Sequence, residues 1–359
     1  MHRSAPIGLL AAALALAAGC KKDKDEDKAA GAADSSKAGK TAEAAGETPA
    51  APAAIGGEAL IQRVEGCWAS YIAWDKDKFR ACYADKTEVG AVDGIPPESA
   101  RTPQDVVVLN GTYRNAFPDF QADIQMILVN GKKVATVVLQ SGTHKGRSLG
   151  MPPTNKKMML YYGEAREFDD KGQTIRERAY ADQTTLLQQL GVQEGLNVPT
   201  SEKPWPAKVR VVAKNDDAEK ANLAAFKASF EALSKGDAAG FSAPYAEDAT
   251  YRYMPQNVII TGPKQIAKAR DYSAVANPIE MSLKDAWAAG DWVVGETTVK
   301  GTLSQDFAGV KGTKGKTWEQ TSLELLEFSG GKVKRHLVFA NGLKFAVDVG
   351  LFDPADLGM

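Results

Sequence analysis

With 359 residues, Lys plus Arg 44 against Asp plus Glu 45 and a formal charge of -1, the chain lacks the basic surplus that would hold a nucleic acid. Three histidines and three cysteines are scattered without a Cys-x-x-Cys pair, which argues against a metal centre, and nothing in the composition calls for a cofactor. The length leaves room for two domains with cores of ordinary size.

His2 and Arg3 precede an apolar run from Ile7 to Ala18, too short to span a bilayer, that ends in Ala17-Ala18-Gly19-Cys20. Small residues directly before a cysteine at the end of such a run resemble the lipobox of bacterial lipoproteins. The resemblance implies a signal peptide over 1–20 and a lipid on Cys20 that anchors the exported protein to a bacterial membrane. An ordinary cleaved signal or an unprocessed segment is the alternative. Lys21 after the anchor, in place of Asp, points to the outer membrane, facing the periplasm. Residues 21–56 begin with a mixed-charge run and continue in Ala, Gly, Ser, Thr, Glu and Pro. Such a segment buries too little apolar surface to offset its ordering entropy, so a disordered tether is expected.

Beyond the tether, apolar periodicity predicts an amphipathic helix over about 58–74, a shorter one over 76–84 and a third over 103–116. Cys67 and Cys82 fall on the first two. In an oxidising compartment they are expected to form a disulfide stapling that corner, two buried thiols being the alternative. Long strands follow at about 122–129, 133–143, 156–168 and 174–182, with hairpin signals at Asn130-Gly131 and at Asp169 to Gly172, and a further helix begins near Thr184. Residues 193–216, with Pro199, Pro204, Trp205 and Pro206, read as a linker.

The layout then repeats: helices over about 219–235, 237–246 and 263–275, then strands at 279–287, 291–303, 316–328 and 332–341. Phe79 and Tyr83 answer to Phe241 and Tyr245 at an offset of 162, Phe168 to Phe328 at 160, and Asp182 to Asn341 at 159. Helices first and a strand meander after imply an α+β fold of two tandem domains, 57–192 and 217–352, each a curved antiparallel sheet wrapped around its N-terminal helices.

The first unit resembles the SnoaL-like (polyketide or ester cyclase-like) branch of the nuclear-transport-factor-2-like superfamily. The residues that carry the resemblance are Phe117-Pro118-Asp119-Phe120, Gly142-Thr143-His144-Lys145-Gly146, Leu149-Gly150-Met151-Pro152-Pro153-Thr154, Asp182 and the Leu186 to Gly191 run. The second unit resembles the superfamily in layout alone. The resemblance implies two tandem cone-shaped domains, each sheet enclosing an apolar pocket, and, in the cyclases, an Asp acting there as acid and base without a metal. It also implies that the halves pack through their sheets as an intrachain pseudo-dimer.

Asp182 matches the cyclase Asp, the alternative role being a cap for the helix after it. Alternation along 174–182 places Thr174, Arg176, Arg178, Tyr180 and Asp182 on one face, with Ile175, Glu177, Ala179 and Ala181 on the other. The face with Asp182 is expected to be the pocket wall. If Phe168 faces Thr174, Glu164 faces Arg178 and Tyr162 faces Tyr180, which makes either a polar pocket wall or an outward cross-strand pair. His144, in a Gly-flanked turn, is either a ligand contact or exposed. Trp68, Tyr71, Trp74, Phe79 and Tyr161 read as core. The second half carries Asn341 in place of the acid, and its equivalent face reads as apolar core. The preferred function is a membrane-anchored protein whose pocket binds a small apolar or amphipathic molecule, or a partner protein. The alternative is an enzyme using Asp182.

Overall fold

The computed structural model describes residues 55–148, 150–192, 202–255 and 258–357. Cys20, the signal peptide, the tether to residue 54 and linker residues 193–201 lie outside the described residues.

The first half begins with α1 (Glu58–Ala73), which buries Leu60, Ile61, Val64, Cys67, Trp68 and Tyr71 along one stripe. It stops at Trp74, whose φ of 55° ends the helix in the left-handed region. After α2 (Lys76–Arg80) come β1 (Tyr83–Ala91), β2 (Ser99–Ala100) and α3 (Pro103–Ala116). Thr102 and Asp105 cap α3 reciprocally, with Pro103 in the first turn, where its missing N–H costs nothing. The meander β3 (Gln121–Asn130), β4 (Lys133–Thr143), β5 (Lys157–Phe168) and β6 (Thr174–Tyr180) follows, then α4 (Gln183–Gln189) and β7 (Val209–Val212).

The second half repeats the order: α5 (Asp217–Ser234), α6 (Ala238–Ser242), β8 (Tyr245–Tyr253), β9 (Val258–Thr261), α7 (Pro263–Arg270), β10 (Ala276–Ala289), β11 (Trp292–Leu303), β12 (Thr317–Ser329), β13 (Lys332–Phe339) and α8 (Gly342–Asp348). The two sheets share one strand order, β2-β1-β6-β5-β4-β3 and β9-β8-β13-β12-β11-β10, with β7 added at the edge of the first. All pairs are antiparallel except β1 with β6, β8 with β13, and β3 with β7.

Two expectations need correction. The second helix of each half is shorter than its pattern suggests, because the chain leaves it at Tyr83 and Tyr245 to pair with β6 and β13. The polar sequence of β1 hides this strand, whose pairing is tertiary. The linker, in turn, is not only a connector. Val209 to Val212 extend the first sheet beside β3, and the Trp205 amide donates to Gln125 at 2.6 Å.

Alternate residues of the meander face two different cores. Ile127, Val129, Val134 and Val138 pack on the helices of their own half. Met126, Leu128, Val137, Leu139, Tyr161 and Tyr180 pack instead against Trp287, Trp292, Val294, Leu323, Leu337 and Phe339 of the second half. Burial on both faces explains the continuous apolar runs in these strands. Polar contacts close the interface: Lys133 meets Asp285 at 2.7 Å, and the Tyr180 hydroxyl donates to Glu296 at 2.5 Å, where Arg178 also binds. Gly163 lies so close to the Phe339 ring that an added Cβ would sit 2.7 Å from Cγ.

Candidate functional site

A cavity of about 530 Å³ opens inside the first half between α1, α3, β1, β5 and β6. Its size suits a small organic molecule. Trp68, Tyr71, Phe79, Leu109, Tyr113, Leu160, Tyr162 and Leu186 supply the apolar wall. A charged cluster lies at one side. The Tyr83 hydroxyl donates to Glu177 Oε2 at 2.9 Å, and Arg166 Nε approaches the same oxygen at 3.2 Å. Arg166 Nε also donates to Glu164 Oε1, whose other oxygen accepts from Thr136 at 2.6 Å.

The Glu177 carboxyl of this cluster is raised from its ordinary range. Burial pushes its pKa up, the Arg166 guanidinium pulls it back and the Glu164 charge raises it again, leaving it at about 7. Burial and the nearby carboxylates likewise push the Tyr83 and Tyr162 phenols well above their ordinary range.

Asp182 touches the cavity but is fully engaged. Oδ1 accepts from the amides of Thr184 at 3.3 Å and Gly342 at 2.9 Å, and Oδ2 from the Thr185 amide at 2.9 Å and hydroxyl at 2.5 Å. Burial pushes its carboxyl up, against the pull of these donors. The carboxylate caps α4 and ties it to the second half, with no oxygen left unpaired for a substrate proton.

The face assignment of β6 is inverted relative to expectation. Glu177, Ala179 and Ala181 face the cavity, whereas Arg178 and Tyr180 turn outward to Glu296. The second half covers that outward face, so its polar groups serve the interface. The cross-strand pairing also differs. A bulge between Glu167 and Phe168 leaves Phe168 opposite Thr174 but places Glu164 opposite Ala179 and Gly163 opposite Tyr180. Tyr162 therefore lines the cavity, while Glu164 stands behind Arg166. Tyr180 also borders a small crevice shared with Asp182 and Phe339.

His144 is neither exposed nor in the cavity wall. The β4–β5 ladder continues past Thr143, with the His144 amide donating to the Lys156 carbonyl at 2.9 Å. The ring is buried against Phe117 and Thr154, and burial lowers its pKa. Gly146 lets the turn fold onto the end of α3, since a Cβ there would meet the Asn115 carbonyl oxygen at 2.2 Å.

Cys67 and Cys82 are joined as a disulfide, and Cys67 borders the cavity. Sequence reasoning missed Glu177 and Arg166, although the i, i+2 pair Glu164 and Arg166 on a long strand was a usable signal.

The interior of the second half is not plain core. Glu324 accepts from Arg270 at 2.9 Å and Thr297 at 2.7 Å and contacts His336 Nε2 at 2.9 Å, while His336 Nδ1 meets the Tyr245 hydroxyl at 2.9 Å. Glu324 thus repeats Glu164, with Thr297, two residues along β11 from the position equivalent to Thr136, as its hydroxyl donor, and Tyr245 with His336 repeats Tyr83 with Glu177. Among the described residues no group of three or more His, Cys, Asp or Glu is placed to hold a metal.

Residues 61–190 match the SnoaL-like polyketide cyclase family, and residues 226–336 match the SnoaL-like domain family. The chain carries two SnoaL-like domains in tandem. Each is an α+β unit whose sheet packs on its own helices. Similar solved structures include AclR of Streptomyces galilaeus, described as a candidate hydroxylase, at 19% identity, covering 38% of this chain and 88% of that one with a TM-score of 0.34. IdmH of Streptomyces antibioticus, a candidate polyketide cyclase, is 24% identical, covering 37% of this chain and 98% of that one with a TM-score of 0.33. No curated protein matches the chain.

Proposed function

We propose that the tandem SnoaL-like protein binds a small, largely apolar molecule in the cavity of its first domain, and that the second domain braces this cavity. The observation that carries the reading is the aromatic-walled space of about 530 Å³ with one charged cluster at its side, the composition of a binding pocket rather than of a filled core. Asn341 and Gln183, bonded to one another across the domain interface at 2.7 Å, both border it. We further propose that the two domains form an intrachain pseudo-dimer, and that a lipid on Cys20 holds the protein to the outer membrane, facing the periplasm. Capture of a small molecule beside a membrane suits that placement.

Titration of the chain with a neutral naphthalene-based fluorophore tests the binding reading. Saturable binding is expected in the wild type, and a strong loss with Leu109→Trp, which fills the cavity from α3. Metabolic labelling with a clickable fatty acid, lost on Cys20→Ala, tests the anchor.

A second reading, acid–base catalysis, is favoured by one observation: Glu177, with a pKa of about 7, borders the cavity. In that case Glu177, not the saturated Asp182, would move the proton, and Glu177→Gln would abolish turnover while Asp182→Asn would spare it in protein that remains folded.

A further inference from the structure

Gln140 lies on β4, paired between Ala122 of β3 and Leu160 of β5, so its backbone is held on both sides. It shares the inner face of the strand with Thr136 and Val138 and lines the cavity at 7% exposure. Its side-chain amide makes no hydrogen bond with any described residue, yet neither polar atom is sealed from the open space. Burying an amide without a partner is unfavourable, so one that faces a cavity in this way is placed to meet a partner from that cavity.

The second half supplies an internal comparison. Glu164 stands opposite Thr136, and its counterpart Glu324 stands opposite Gly295. Counting along the two unbroken ladders puts Val299 where the first half has Gln140. Val299 is buried in an apolar cluster with Leu303, Phe307 and Trp318. An aliphatic side chain thus suffices for the fold at this position, and folding alone does not call for an amide.

We propose that Gln140 is the specificity-determining residue of the cavity and reads a group that presents an acceptor and a donor side by side, a carboxamide or lactam edge. The inference rests on the binding reading above and names the polar chemistry of that ligand. The Gln140 carbonyl accepts and its amide nitrogen donates, from two atoms set apart in one plane. A planar carboxamide answers both at once. A ketone offers only an acceptor, and a single hydroxyl oxygen cannot meet both atoms in line. A carboxylate would set an acceptor against the Gln140 carbonyl, although the exposed Arg147, which also lines the cavity, is available to an anion. Tyr113 and Leu160 border the same space and would take the apolar body of the ligand.

Calorimetric titration of the folded chain with naphthalene, acetylnaphthalene, naphthamide and naphthoate, four probes of one aromatic body, tests this. Naphthamide is expected to bind about tenfold more tightly than naphthalene, as a pair of hydrogen bonds implies, and more tightly than the other two. In Gln140→Leu that advantage falls below about twofold, while naphthalene binds at least as well as before. The urea midpoint of the free variant is expected to hold or rise, because no bond within the protein is lost. Gln140→Met, unbranched and of similar length, is read in the same way. A marked loss of stability in both variants would give Gln140 a structural role and overturn the proposal. So would equal affinity for naphthalene and naphthamide in the wild type, or an advantage that survives the variants, since a tyrosine hydroxyl or water then does the work. Acetylnaphthalene binding as tightly as naphthamide overturns the paired donor and acceptor. Tightest binding of naphthoate, lost in Arg147→Gln, overturns the amide class in favour of an anion. Binding of none of the four overturns the cavity reading itself, and the subsite falls with it.

Discussion

Asp182 and Asn341 each cap the helix that follows them and each accepts an amide from the other's helix. Asp182 receives the Gly342 amide at 2.9 Å, and Asn341 receives the Gln183 amide at 3.1 Å. The amide of Asn341 also donates to the Asp93 carbonyl at 2.8 Å and to Gln183 at 2.7 Å. Replacing Asp182 with Ala strands four buried donors, and a loss of about 3 kcal/mol in denaturant unfolding is expected. Asp182→Asn, which keeps one acceptor oxygen, is expected to cost about 1 kcal/mol. Because the two caps share an interface, Asp182→Ala and Asn341→Ala should fall short of additivity in a double-mutant cycle. Additive losses would show that the caps act independently.

The packing of the halves can be probed at one atom. Gly163 faces the Phe339 ring, and a Cβ there would lie 2.7 Å from Cγ and 3.0 Å from Cδ1. Since Phe339 is 1% exposed, the ring cannot swing into solvent. Gly163→Ala is expected to cost about 2 kcal/mol by overpacking, and Phe339→Leu in the same chain to recover part of that loss. The measurement is the urea midpoint of the single and double variants. An unchanged midpoint for Gly163→Ala would mean that the sheets are not in contact there.

The repeated helix-then-meander layout was legible in the sequence because the strand runs are long and apolar, and their length reflects burial on both faces. The site was less legible, for two physical reasons. First, alternation tells which residues share a face but not what covers it. Arg178 and Tyr180 looked like a pocket wall until Glu296, 118 and 116 positions away, was seen to meet them. Second, the bulge at Glu167 and Phe168 moved each cross-strand partner by one residue, and no local signal in Glu-Phe-Asp-Asp announces it. Strands β1 and β8 were missed because their solvent-facing residues are mostly charged, Asp85, Lys86 and Glu88 in one and Glu247 and Asp248 in the other.

The disulfide between Cys67 and Cys82 closes a loop of 15 residues that carries Phe79 and ends just before Tyr83. Chain-entropy arguments put the stabilisation from a loop of that length at about 3 kcal/mol. Reduction, or Cys67→Ser with Cys82→Ser, is expected to lower stability by that order. Probe binding should weaken as well, because Trp68 and Tyr83 on either side of the bridge both line the cavity. Thermal melts with and without reductant, read beside probe titrations, check both effects. Binding that is indifferent to reduction would limit the bridge to a stabilising role.

Glu177 gives the protein a specific pH signature. Its carboxyl is raised from 4.5 to about 7 in the folded state, chiefly by burial, with Arg166 opposing and Glu164 adding to the shift. The folded state therefore holds a proton that the unfolded chain releases, so the contribution is complete below about pH 4.5 and is lost as pH rises through about 7. Glu177→Gln removes this dependence. Against the wild type, the variant should show a flatter stability profile between those two values and should be the more stable protein above pH 7, by on the order of 2 kcal/mol. Arg166 keeps its bond to Glu164 in the variant, so no charge is stranded by the change. Urea unfolding at closely spaced pH values checks the slope. A profile that Glu177→Gln leaves unaltered would place the titrating group elsewhere and remove the one observation that favours acid–base catalysis in this cavity.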